Sequence, residues 1–264
     1  MKLLFVGDVV GRPGRTALEH LLPRLVERHH ADFVVVNVEN SAGGFGITPE
    51  VMAELAGLPI DCYTTGNHVW DKKEGVELLD HEPRLLRPAN YPEGNPGKGV
   101  FVGETAAGVP VGVINLEGRV FMSHLDSPFR AADRLLGELR RDARGVKVVM
   151  VDFHADATSE KQAMGFYLDG KVSAVLGTHT HVPTADERIL PGGTALLTDV
   201  GMTGPYESII GMRADKVLKR FLLQTPAPFE VAKHDVRLAA AVVDVDEATG
   251  LARGIERLLV PDPA

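Results

Sequence analysis

Short apolar runs alternate with amphipathic stretches along this chain, and many of the apolar runs end on a polar cluster. Lys2–Val6 reads as a strand and is followed at once by Gly7-Asp8. Leu18, Leu21, Leu22, Leu25 and Val26 recur at helical spacing, which predicts a helix over 13–29 with Pro13 near its first turn. A second strand over 33–38 runs into Glu39-Asn40. A helix over 48–55 follows, with Thr48 as N-cap and Pro49 at its first position. A third strand over 60–64 precedes Gly66-Asn67-His68, and a short helix spans 71–79. This repeated order argues for parallel strands joined by right-handed crossovers.

The middle of the chain reads differently. Residues 89–99 carry three glycines and two prolines and form a loop or a ligand-facing excursion. Strands over 100–102 and 109–115 flank a turn at Gly108-Val109-Pro110. A helix over 125–143 is capped by Asp126 or Ser127 ahead of Pro128. Then come a strand over 147–152, a helix over 159–168 and a strand over 172–176. Past His181 the pattern turns to hairpins: 188–190 and 195–198 flank Pro191-Gly192-Gly193. A helix over Ala214–Leu223 and a long strand over Val236–Val245 complete the pattern, with residues 261–264 as a frayed end. The expectation is one domain over 1–264, α/β in class, with two facing sheets and outer helices.

Composition narrows the function classes. A chain of 264 residues with 44% hydrophobic and 24% charged residues is ordinary for a soluble globular enzyme. Its net charge of -8, with no basic tract, argues against a duplex-binding surface. The single cysteine, Cys62, excludes an internal disulfide and a cysteine-rich zinc site, and reads as a small buried hydrophobe. Asp8 interrupts the N-terminal apolar run before it could form a secretory signal, and no apolar stretch is long enough to cross a bilayer. A cytoplasmic protein with no membrane partner is expected.

The polar clusters carry the chemistry. Asp8, Glu39, Asn40, Asn67, His154, His179 and His181 each follow a short β-type run. Parallel strands bring such ends to one edge of a sheet. Carboxylate, amide and imidazole together suit Mn, Fe or Zn. Taken alone, Asp8 would serve a turn or a cap; its company makes it a ligand candidate. The flanking glycines would let backbone approach a ligand, and the helix behind them would aim free N–H groups at an anion. Glu39 is the bridging candidate, since one carboxylate can neutralise two cations. Asn40 either ligates or orients Glu39. If Asn67 binds metal, His68 is left beside it as a donor or acid. In an extended segment residues two apart point the same way, so His179 and His181 can face one site. The other histidines of the ten read as surface or structural.

The series Gly7-Asp8, Gly66-Asn67-His68, His154 and Gly177-Thr178-His179-Thr180-His181 resembles the calcineurin-like metallophosphoesterase superfamily. Asn37-Val38-Glu39-Asn40-Ser41, Gly43-Gly44-Phe45-Gly46-Ile47-Thr48 and Asp199-Val200-Gly201-Met202-Thr203-Gly204-Pro205 are similar to its YmdB-like branch. Val10 stands where the wider superfamily has a histidine, and Glu39 where it has a bridging aspartate; both fit that branch. The resemblance implies a four-layer αββα metallophosphoesterase sandwich of two facing mixed sheets flanked by helices. It implies a dinuclear centre of transition-metal ions, Fe or Mn first and Zn also fitting. Asp8, Glu39, Asn40 and His181 would hold one metal, and Glu39, Asn67, His154 and His179 the other. His68 matches the proton donor. Ser41, Gly43 and Gly44 are candidate substrate contacts, since the glycine-rich segment could wrap a ligand. The implied activity is phosphodiester hydrolysis, 2′,3′-cyclic nucleotides such as 2′,3′-cyclic AMP foremost. A general phosphomonoesterase and a non-catalytic metal-dependent nucleotide sensor are the competing readings. An amidohydrolase barrel is disfavoured because its HxH pair comes early in the chain. Homo-oligomerisation is left open.

Overall fold

The computed structural model describes residues 1–263 and arranges them as two six-stranded sheets. Strands β1 (Lys2–Val6), β2 (Phe33–Asn37) and β3 (Cys62–Thr64) lie parallel in the first sheet. Beside β1 runs β11 (Val236–Val245), antiparallel, which also pairs with β10 (Gly204–Pro205) and β12 (Ala252–Pro261). The second sheet has the order β4-β5-β6-β7-β9-β8. In it β5 (Pro110–Glu117), β6 (Val148–His154), β7 (Ala174–Thr178) and β9 (Ala195–Leu197) are parallel. Antiparallel β4 (Val100–Glu104) and β8 (Arg188–Ile189) close its edges.

Alternation along the strands builds three cores. Leu3 and Phe5 of β1 and Val148 and Met150 of β6 point into the space between the sheets, with Val35, Cys62 and Ala241. Leu4 and Val6 face the other way, against Leu18 and Leu22 of α1 (Gly11–His29). Val149 and Val151 face Leu135 of α4 (Pro128–Leu139) and Met164 of α5 (Thr158–Leu168). A strand buried on both faces has no need of polar residues, which is why these strands read as unbroken apolar runs. Helix, sheet, sheet, helix is the four-layer order expected.

Helices α2 (Pro49–Leu55), α3 (Lys73–His81) and α6 (Ala214–Leu223) complete the set. Thr48 caps α2 by accepting from the Val51 amide at 3.4 Å, and Ser127 caps α4 by accepting from the Arg130 amide at 3.5 Å. The expected helix over 125–143 is therefore shorter at both ends. Three readings need correction. The strand expected to stop at residue 152 continues to His154, so this imidazole projects from the sheet itself. Strand β12 was not foreseen: its half-exposed face, Gly254 and alternating charges leave little period-2 pattern. Nor is 261–263 simply a frayed end, because Pro261 pairs with Arg237 and the Asp262 carboxylate lies 3.2 Å from His20 Nδ1. Ala264 lies outside the described residues.

Candidate metal centre

The C-terminal ends of β1, β2 and β3 from one sheet and of β6 and β7 from the other converge on a single polar cluster. His154 stands at its centre. The ring Nε2 lies 3.0 Å from Asn67 Oδ1, 3.1 Å from Glu39 Oε1 and 3.1 Å from His179 Nδ1. On the other side of Glu39, His181 Nε2 lies 3.2 Å from Asn40 Oδ1. Ligand atoms of Glu39, His154 and His179 fall within 4.8 Å of one another, as do those of Asp8, Glu39 and His181. Glu39 belongs to both groups. The fold thus gathers the seven candidate ligands into two sets, with Asn67 in contact with one and Asn40 with the other.

Hydrogen bonding outside the cluster fixes which atoms face inward. The Asn40 amide nitrogen donates to Gly44 O at 3.0 Å, which turns its carbonyl oxygen toward His181. His181 Nδ1 donates to Ile210 O at 2.9 Å, leaving Nε2 with a lone pair. A lone pair on nitrogen thus faces a lone pair on oxygen. Asp8 Oδ1 is fully buried with no hydrogen-bond partner, while Oδ2 accepts from the His179 amide at 3.1 Å. Buried carboxylates and acceptors that face one another are costly unless a cation sits among them. The donor set of oxygen and imidazole nitrogen fits transition-metal ions.

The electrostatics agree. Burial pushes Asp8 well above the usual carboxylate range, with His154 opposing and Glu39 adding to the rise. Burial acts on Glu39 too, but the charge and hydrogen bond of His154 hold its carboxyl below the ordinary range. Burial, helped by the charge on His154, drops His179 to about 3. Burial also depresses His181. Both rings are therefore neutral at physiological pH, the form that binds metal. For His154 burial is outweighed by Glu39, and the ring is raised to about 9. A proton then occupies part of the space a cation would take.

Behind His154 lies a polar chain that joins the two sheets. His154 Nδ1 donates to Thr178 Oγ1 at 2.9 Å, and Thr178 donates to Asp152 Oδ1 at 2.7 Å. Asp152 Oδ2 accepts from Asn37 Nδ2 at 2.9 Å and from Thr64 Oγ1 at 2.5 Å. All of these residues are buried. Sequence reasoning missed their joint role. The available signal was a polar residue at the end of each of four apolar runs, Asn37, Thr64, Asp152 and Thr178.

Two geometric arguments need correction. His179 and His181 do not face the site from an extended segment: β7 ends at Thr178, and both follow in left-handed backbone, φ 98 and 66. A buried ion pair braces that turn, with Lys161 Nζ 2.5 Å from Asp199 Oδ2, which also accepts from the Thr180 amide at 3.2 Å and its hydroxyl at 2.8 Å. The N-terminus of α1 does not present the run of free N–H groups expected of it either. Gly11 N donates to Asn40 O at 2.9 Å, Gly14 N donates to Val10 O at 3.1 Å, and Pro13 has no N–H. Gly7 is required by packing, since a Cβ there would overlap Gly201 O.

A cleft of about 320 Å³ opens over the cluster, lined by Glu39, Asn40, His179 and His181 together with His68, Gly44 and Phe45. His68 Nδ1 is 2.8 Å from Asp71 Oδ2, and its amide donates to Glu39 Oε2 at 3.2 Å. His68 therefore touches the cluster through its backbone while its ring stands at the cleft wall. Of the candidate substrate contacts, Gly44 lines the cleft. Ser41 is buried, its hydroxyl donating to Val38 O at 2.7 Å, and Gly43 lies on the exposed side of the turn.

Fold and cluster together define a metallophosphoesterase-type protein, and comparison places the chain more narrowly. A family model described as YmdB-like protein matches residues 4–258. The chain belongs to the YmdB-like family. It is 48% identical over 262 residues to a 2′,3′-cyclic-nucleotide 2′-phosphodiesterase of Bacillus subtilis (strain 168), covering 99% of this chain and 98% of that one. It is 35% identical to a putative phosphatase/phosphodiesterase of Mycoplasma pneumoniae, covering 94% and 89%. A crystal structure of a hypothetical protein from Thermus thermophilus matches with a TM-score of 0.93 at 43% identity, covering 100% of each chain. A second, described as a novel phosphatase from Mycoplasma pneumoniae, matches with a TM-score of 0.91 at 34% identity, covering 100% and 95%.

Proposed function

We propose that this chain is a dinuclear-metal phosphodiesterase that opens 2′,3′-cyclic nucleotides, such as 2′,3′-cyclic AMP, at the 2′ ester. The observation that carries the reading is the pair of ligand clusters sharing Glu39, with an Asp8 oxygen that has no hydrogen bond buried beside it. Asp8, Glu39, Asn40 and His181 would hold one ion, and Glu39, Asn67, His154 and His179 the other. Fe or Mn is the expected metal, with Zn an acceptable substitute. The substrate bond is supported by the name of the Bacillus subtilis relative at 48% identity. Residues 1–264 act as a single domain in this reading, supported by a core shared between the sheets. Among the described residues no helix is long and apolar enough to cross a membrane, and a cytoplasmic location is part of the proposal.

When bound, the ions supply positive charge that polarises the phosphoryl group and acidifies water. The protein supplies position and a proton. Glu39, shared between the clusters, sets their separation. Asn40 and His181 are oriented from outside the cluster by Gly44 O and Ile210 O, so no reorganisation is needed when substrate arrives. The Asp71 carboxylate accepts from His68 Nδ1 and so orients the ring, whose Nε2–H serves the leaving group. As water oxygen bonds to phosphorus, the bond from phosphorus to O2′ breaks, O2′ takes that proton from the His68 imidazolium, and the proton lost by the water returns the ring to that form. The product is a nucleoside 3′-monophosphate.

A substrate panel on chelated and metal-restored protein tests this, comparing 2′,3′-cyclic AMP, 3′,5′-cyclic AMP and an aryl phosphomonoester. Preference for the monoester would move the assignment to a general phosphatase; saturable nucleotide binding without turnover would move it to a sensor. His68→Ala should keep both metals yet lose about 10²–10⁴-fold on alkoxide leaving groups. Nitrophenolate esters, which need little protonation, should suffer much less. Equal losses on both would remove His68 from the proton transfer.

A further inference from the structure

The cleft has a second wall whose side chains the metal chemistry does not use. Beside the ligand cluster stand Phe45, Ile210, Met212 and Phe229, drawn from three segments of the chain. The rings form a continuous series leading away from the cluster. His68 and Phe45 meet edge-to-face with centroids 4.9 Å apart, and Phe45 and Phe229 follow at 5.8 Å. The Arg220 guanidinium lies 4.3 Å from the Phe229 centroid and steadies that ring from α6. Bordering the cleft is a mainly apolar groove of about 640 Å³ that shares Ile210, Met212 and Phe229 with it. Phe229 is 47% and Ile210 52% exposed, so large apolar surface is left open beside a charged cluster.

We propose that this wall is the nucleobase subsite, in which the base of the substrate stacks on Phe229 and enters the groove past Ile210 and Met212. The inference rests on the phosphodiesterase reading and deepens it by assigning the residues that recognise the nucleoside. A cyclic nucleotide is polar and anionic at one end and a flat aromatic ring at the other. The site has the same polarity: carboxylates and imidazoles that would hold cations at one end, aromatic faces and aliphatic side chains at the other. A base has a π-face whatever its identity, so stacking secures affinity with broad base tolerance.

The test compares 2′,3′-cyclic AMP with glycerol 1,2-cyclic phosphate, which has the same strained cyclic diester and no base. Phe229→Ala should lower kcat/KM for cyclic AMP relative to the baseless diester by about tenfold to a hundredfold, mainly through KM. Phe229→Trp should restore the discrimination. Phe229 is half-exposed, so the variant is expected to fold, and an unchanged melting temperature would show it. If Phe229→Ala lowers both substrates equally, or neither, the subsite is overturned. If the metal-restored wild type turns over neither diester, the phosphodiesterase reading fails by itself. Calorimetric binding of adenosine 3′-monophosphate against ribose 3-phosphate then still decides the subsite: a loss of affinity in Phe229→Ala for the nucleotide alone supports it, and equal affinities overturn it.

Discussion

Replacing Thr178 by Val tests whether the polar chain behind His154 prepares that ring for metal. Thr178 is isosteric with Val, fully buried, and contacts both His154 Nδ1 and Asp152 Oδ1 through one hydroxyl. Asp152 takes its other donors, Asn37 and Thr64, on Oδ2, so Oδ1 depends on Thr178. A hydroxyl that donates to a carboxylate has only lone pairs left for the imidazole, which must therefore keep its proton on Nδ1 and leave Nε2 to the cluster. The substitution removes both bonds and strands two buried polar groups. Each stranded group costs about 1–3 kcal/mol, so the loss of folding stability should be on the order of 3 kcal/mol. Freed from Thr178, the ring can turn or change tautomer, and outer contacts of this kind are worth about 10–100-fold in metal affinity.

The assay has two arms. Urea denaturation of metal-free protein measures the stability loss, and competition with a chelator measures affinity for the first and second Mn ions. Thr178→Ser keeps the hydroxyl and loses only a methyl group, so it should bind metal nearly as the wild type does. Nitrogen-15 NMR of the protein loaded with diamagnetic Zn should show His154 protonated on Nδ1 alone in the wild type and a mixture of forms in the Val variant. If Thr178→Val is destabilised but binds both ions with wild-type affinity, the chain is only a tie between the sheets and the tautomer argument is wrong.

Glu39→Gln should lower occupancy of both metal positions in elemental analysis, because the neutral amide no longer offsets two cations; loss of one ion alone would deny Glu39 its shared role. Gly66→Ala should likewise abolish metal binding, since an added Cβ would overlap the His154 ring and a Glu39 carboxylate oxygen; a variant with two tightly held ions would show that the loop can give way. The Asp61 carboxyl, which accepts from the Val34 amide at 2.8 Å, is raised by burial. A raised carboxyl contributes stability below the ordinary aspartate range and loses it as pH rises through its folded value. Asp61→Asn should therefore melt higher than the wild type at pH 7, with the advantage fading at acid pH; a constant difference across pH would exclude titration as the cause.

What could be read from the sequence follows from burial. Strands β1, β2 and β6 are covered on both faces, so their apolar runs were plain, and the polar residues that follow marked the convergence of strand ends. Strand β12 is half-exposed along its length, and its alternation of Arg253, Glu256 and Arg257 with aliphatics gave no dominant period. The HxH pair was legible as chemistry but not as geometry, because nothing local signals φ 98 at His179 and 66 at His181. The Asn37, Thr64, Asp152 and Thr178 network was visible one residue at a time. Only the packing of two sheets shows that these four ends meet. Phe229 was illegible, since its partner Phe45 lies most of the chain away.

The strained turn carrying His179 and His181 shows how the fold supports its site. Two non-glycine residues in left-handed backbone cost roughly 1–3 kcal/mol each. That cost is met next to the turn rather than within it. Asp199 accepts from Lys161 and from both the amide and hydroxyl of Thr180, while its other oxygen accepts from the Gly201 amide at 2.8 Å. The ion pair is 2% exposed at lysine and 1% at aspartate, so solvent does not screen it, and breaking one partner would strand a charge. The turn is thereby held from α5 on one side and from the segment after β9 on the other. A flexible HxH segment would have to be ordered each time an ion bound. Here the ordering is done during folding, and the charge that supports it sits outside the cluster, on residues that no metal would touch.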